Sequence, residues 1–199
     1  MASAIKPQLI TRESLLSLEE YARQRPAFRA KVMEHKKRRT VHLGEHITLQ
    51  FEDELTVRYQ VQEMLRIERI FEEDGIRHEL ESYNPLVPDG SNWKATMMIE
   101  YPDAGERRRM LALLKGIERQ VWVQVEGAER VLAIADEDLE RENEDKTSSV
   151  HFLRFELDAA MRERLRAGAG LRIGVDHPHY PAVAELAGDT RTALAQDLS

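Results

Sequence analysis

The sequence predicts an α+β fold built on a mostly antiparallel sheet of about six strands, and three observations carry that prediction. Apolar residues alternate with polar ones over 40–51, 93–101, 121–125, 150–157 and 171–175, the period of half-buried strands. Strand-like stretches follow one another through short turns, as at Glu126-Gly127-Ala128, rather than through regular helical crossovers. Residues of about 53–73 keep helical spacing but carry apolar side chains round most of the wheel, which marks a buried central helix.

The elements follow in order. Thr11 or Ser14 can cap a first helix through Leu15, Leu16, Leu18 and Tyr21, and Pro26 suits the first turn of a second, running to about Arg38. His35-Lys36-Lys37-Arg38-Arg39 gathers cations where a helix C-terminus favours them. A strand over 40–51 is interrupted by Gly44, a bulge or turn signal. After the central helix, a short helix ends near Tyr83, where Pro85 biases Asn84 away from helix. Pro88-Asp89-Gly90 then turns into a strand that puts Trp93, Ala95, Met97, Ile99 and Tyr101 on one face. An Arg-rich helix from about Gly105 follows, then Val121 to Val125 and a hairpin partner around Val131 to Ala135. Asp136 to Asp145, with seven acidic residues, reads as an exposed connector or helix. Strand 150–157, a helix near 159–167, a strand through Val175 and a C-terminal helix from about Pro181 complete the chain. One domain over 1–199 is expected, with 1–39 as an N-terminal helical segment packed on it.

Composition excludes several chemistries. The absence of cysteine removes a thiol nucleophile, a thiolate zinc site and a cysteine-ligated iron–sulfur cluster. A formal charge of −7 disfavours nucleic acid and anionic membrane as bulk partners. Neither a signal-like apolar stretch in MASAIKPQLITRESLL nor a run of membrane-spanning length is evident, so a cytoplasmic protein is expected. There is no nucleotide-binding loop, nucleophile-elbow serine, His-Glu-x-x-His or Glu-x-x-His pattern. Asp136, Asp138 and Glu140 begin like a calcium loop, but Arg141 stands where its glycine is needed.

Two candidate sites remain. On the central helix, Gln60, Glu63, Arg66 and Glu68 can orient a small ligand or do acid–base work, together with Asn84 and Asp89 (and Asn92) of the following loop; an internal ion network is the alternative. Asp176, His177 and His179 have metal-ligand chemistry, although alternating histidines on an extended segment point apart, and surface histidines are the alternative. His42 and His46 are too far apart along one strand to share an ion, and His151 on an apolar face reads as a hydrogen-bonded core histidine.

The segments HKKRRTVHLGEHITLQFED, YQVQEMLRIERIFEEDGIRHELESYNPLVPDG, TSSVHFLRFEL and VDHPHY resemble a bacterial family known as domain of unknown function 3501, over nearly the whole chain. The resemblance implies no activity and no catalytic residues. By the setting in which such proteins occur, it implies a partner such as a rubrerythrin-like or iron–sulfur oxidoreductase protein. The function expected is therefore a non-catalytic accessory or binding partner in bacterial redox or oxidative-stress metabolism. Its rival is a small-ligand or metal-binding enzyme with a polar site between the central helix and the 84–92 loop.

Overall fold

The computed structural model describes residues 9–137, 141–143 and 145–199. Its strands form two antiparallel sheets. The first runs β1 (Thr40–Leu43), β2 (Ile47–Phe51), β3 (Asn92–Ile99), β7 (Val150–Glu156), β6 (Ile134–Ala135), and the second runs β5 (Arg130–Leu132), β4 (Val121–Val125), β8 (Leu171–His177), β9 (Tyr180–Leu186). The helices are α1 (Leu18–Lys37), α2 (Glu54–Glu68), α3 (Glu73–Tyr83), α4 (Ala104–Leu113), α5 (Ala159–Arg166) and α6 (Gly188–Gln196). The class is α+β, as the sequence predicts. None of the described helices is long and apolar enough to cross a membrane.

The single sheet expected from the sequence is two, and the chain passes between them through α4, through α5 and through one short connection. The stretch expected as one hairpin partner, 131–135, pairs with β4 up to Leu132 and with β7 from Ile134. It crosses between the sheets at Ala133, whose N–H donates to the Val121 carbonyl at 2.8 Å. At the opposite margin the Tyr180 hydroxyl donates to the Leu43 carbonyl and accepts the His46 N–H, both at 2.8 Å. Gly44, at φ +65°, makes room there, since a Cβ would lie 2.6 Å from that hydroxyl. The sheets thus wrap a common core in which Leu49, Phe51, Trp93, Met97 and Phe155 pack with Val123, Ile173 and Val175. Helix α6 closes one end with Leu194, whose carbonyl accepts the Trp93 Nε1–H at 2.9 Å.

Several boundaries differ from expectation for physical reasons. α1 is one helix capped by Ser17, and Pro26 lies inside it on a solvent-facing turn, where water can meet the carbonyl it leaves unbonded. The central helix expected over 53–73 ends at Glu68, because Arg69 turns left-handed (φ 56°) and the Ile70 N–H closes back on the Leu65 carbonyl. It is also buried on one face only. Val57, Val61 and Leu65 pack with Ile10, Leu15, Ile76 and Val87 in a second apolar cluster, whereas Ile67 and Phe71 are 58% and 70% exposed. The helix expected from Pro181 begins at Gly188, since 180–186 alternates and pairs with β8.

The basic run 35–39 is only partly a solvated helix end. His35 contacts the Asp53 carboxylate at 2.5 Å. Arg39 is buried, donating to the Phe51 and Glu52 carbonyls and pairing with Asp197.

Candidate functional site

A concavity lies where the helical layer meets the outer face of β3 and β7. On these antiparallel strands Lys94 faces Arg154 and Thr96 faces Phe152 across the ladder, and all four point away from the apolar core. Met64 of α2, Ser82 and Tyr83 of α3, and the turn residues Pro85 and Leu86 form the opposite wall. The half-open cleft measures about 670 Å³, within the range of small-molecule sites.

Local sequence explains the placement. Asp53 caps α2 by accepting the Thr56 N–H, while the Thr56 hydroxyl accepts the Asp53 N–H, each at 3.0 Å. Asn84 ends α3 and bonds both the N–H and the carbonyl of Ile10 at 2.9 and 3.0 Å, which fixes the turn carrying Pro85 and Leu86.

Charge in the cleft is unevenly committed. Arg154 donates to both oxygens of Glu137 at 2.8 and 2.7 Å and also pairs with Glu156. That guanidinium holds the Glu137 carboxyl below its usual range. Lys94 donates to the Pro85 carbonyl. Burial lowers its pKa below that of an ordinary lysine, and Arg154 adds to the effect while Asp89 opposes it. Arg141 lies over the Phe152 ring, 4.6 Å from its centroid.

Glu137 and Arg141 also line a second, smaller pocket of about 350 Å³, together with Glu118, Arg119, Ala135, Asp136 and Glu142. Asp136 is mostly buried, a correction to the exposed acidic stretch expected there; Asp138, Glu140 and Glu144 of that stretch lie outside the described residues. Its carboxylate sits 2.6 Å from Nδ1 of His151 and accepts the Phe152 N–H at 2.9 Å. His151 is wholly buried, with the Thr147 hydroxyl and Ser148 carbonyl each 3.0 Å from Nε2.

The structure places the sequence-derived candidates separately. Glu63 accepts from Arg25 at 2.7 and 2.9 Å, from the Tyr21 hydroxyl at 2.6 Å and from Arg66 at 3.3 Å. Gln60 is partly buried on α2, and Glu68 is exposed at its end. Asp89 accepts from the Ser91 N–H and hydroxyl and from Asn92, so the loop polar groups hold the turn rather than facing Glu63. Asp176 pairs with Arg130 at 2.7 Å. His177 has Nε2 3.2 Å from the Lys115 carbonyl, while its Nδ1 accepts the His179 N–H. Both imidazole nitrogens of His177 are therefore engaged. Among the described residues no three His, Asp or Glu side chains are set to hold a metal ion.

The cleft lies where the central helix meets the start of the 84–92 loop, and it is lined by other residues. Lys94, Arg154, Phe152 and Tyr83 were not singled out, since the first three occupy the outward positions of strands and read as solvent-facing. One signal was available: Phe152 is a large apolar side chain on that outward face.

A crystal structure from Burkholderia pseudomallei K96243, described as a novel protein of unknown function, is similar to this chain at 56% identity and a TM-score of 0.92, over 96% of this chain and 100% of that one. No curated protein matches. The family model for a protein of unknown function, DUF3501, matches residues 9–198. The chain, matched by that model over nearly its whole length, belongs to the DUF3501 family.

Proposed function

We propose that this protein binds a small organic acid with a substantial apolar body in the cleft between α2–α3 and the outer face of β3–β7. The observation that carries this reading is the lining itself. Met64, Tyr83, Pro85, Leu86 and Phe152 offer an apolar wall, and Lys94 stands among them with one donor spent on the Pro85 carbonyl. Its remaining ammonium donors suit a carboxylate, and a half-buried setting strengthens such a bond. Arg154 contributes field rather than donors, because Glu137 and Glu156 already occupy it.

Calorimetric titration with octanoate tests the idea. Binding to the wild-type protein should weaken by about tenfold or more in Lys94→Met, the scale of a lost charge-assisted hydrogen bond. Equal affinity in the two proteins, or none in the wild type, would sink it.

A second reading sets the protein in the cytoplasm as an accessory to a rubrerythrin-like or iron–sulfur oxidoreductase protein. A separate observation favours it: the exposed Phe71 lines a groove together with Leu15, Leu65 and Ile70, and Ile67 is a further exposed apolar side chain. Copurification with such a partner, abolished by Phe71→Ser, supports it; an unaffected complex, or no complex, opposes it.

A further inference from the structure

The smaller pocket behind Glu137 and Arg141 contains a carboxylate that the fold buries without using fully. Glu118, on the turn Ile117–Gln120, is 2% exposed and lines this pocket. Its Oε2 is buried and has no hydrogen-bond partner among the described residues. Its Oε1 lies 3.4 Å from Arg119 Nε, long for a strong bond. The other acids on the wall are committed elsewhere. Asp136 serves His151 and the Phe152 N–H, Glu137 serves Arg154, and Glu142 accepts the Gly116 N–H at 2.7 Å.

An unpaired buried carboxylate oxygen is costly, and folds seldom keep one without a purpose. Among the described residues, four carboxylates face two guanidinium groups on this wall, so the pocket favours positive charge. Its volume exceeds what a bare ion fills, and no three metal-ligating side chains converge among the described residues. The fitting chemistry is therefore an organic N–H donor. Glu137 and Arg141 line both pockets, so the two cavities are neighbours.

We infer that the smaller pocket takes the ammonium end of an amine-bearing ligand, with Glu118 Oε2 as its acceptor. The placing of that ligand's apolar body and acidic end rests on the cleft reading above; the ammonium site stands on Glu118 itself. The ligand class is then an amphoteric molecule, acidic at Lys94 and basic at Glu118.

The test titrates wild type and Glu118→Gln with octanoate, octylamine and a series of ω-amino acids of six to twelve carbons. At least one ω-amino acid should bind wild type about tenfold tighter than its parent acid. Glu118→Gln should erase that preference while leaving octanoate affinity unchanged. If the parent acids bind and no amino acid does better, the inference is overturned and the cleft reading survives. If octanoate fails to bind, the cleft reading falls, and octylamine decides the ammonium site alone. Octylamine binding that Glu118→Gln abolishes upholds the site; binding that is absent or unaffected overturns it. Should the variant not fold, the wild-type preference between each amino acid and its parent acid settles the question.

Discussion

The Glu63 carboxylate on α2 grips the Arg25 guanidinium on α1 through two parallel bonds of 2.7 and 2.9 Å, while the Tyr21 hydroxyl bonds the same carboxylate at 2.6 Å. A residue that reads from sequence as a candidate acid–base group is the clamp between two helices. Arg25, then the Tyr21 hydroxyl and Arg66, holds its pKa down at about 2 against the effect of burial.

That clamp has a pH signature. The folded pKa lies below the unfolded value of about 4.3, so its contribution is present above that value and is lost as pH falls toward 2. Glu63→Gln should lower Tm at neutral pH by about 2–4 °C, with the gap to wild type closing through the acid range. A gap that stays constant from neutrality to pH ~2 would contradict this.

Tyr180 joins the margins of the two sheets. Tyr180→Phe removes one donor and one acceptor, and should cost about 1–2 kcal/mol in urea denaturation, with faster hydrogen exchange at the His46 amide. Gly44→Ala should be the more damaging change, because it adds left-handed strain to a clash with the same hydroxyl. Unchanged exchange at His46 in Tyr180→Phe would show that the sheets do not depend on this tie.

Asp136 supports a wholly buried histidine from a left-handed position, φ 50°. Asp136→Ala should destabilise by about 2–4 kcal/mol, because His151 and the Phe152 N–H both lose a partner. Asp136→Asn, which tolerates the same backbone, should lose less. Equal losses in the two variants would mean that backbone accommodation contributes nothing.

Lys94 gives the cleft its own pH dependence. Anion binding needs the ammonium form, and burial lowers this lysine's pKa. Octanoate affinity should therefore fade with rising pH earlier than an ordinary lysine, near 10.4, would allow. A profile that stays flat to that value would place the anion elsewhere.

Strand faces were the legible part of this fold. Trp93, Ala95, Met97 and Ile99, and likewise His151, Leu153 and Phe155, alternate inward as their spacing demands. The division into two sheets was hidden, since both turn the same kind of apolar face to one core and only the hydrogen bonds around Ala133 reveal the change of layer. The break at Arg69 was hidden too. Ile70 and Phe71 continue the apolar run, and no glycine or proline marks the left-handed residue.

The residues that line the cleft could not be read from sequence. Glu63 and Arg66 were recognisable as an ionic group, yet the partners that claim Glu63 sit on another helix. Lys94 and Arg154 acquire meaning only when β3 and β7 pair and the α2–α3 layer covers their outer face.

The seal made by α6 bears on how the molecule is assembled. The Leu194 carbonyl meets Trp93, the Ser199 N–H donates to the Gly90 carbonyl at 2.9 Å, and Arg39 reaches Asp197 with one nitrogen at 3.1 Å. Each link joins the final turns to segments made much earlier in synthesis. Leu194 and Leu198 belong to the same apolar core as both sheets, so closing this end of the core is a long-range contact, of the kind that slows folding.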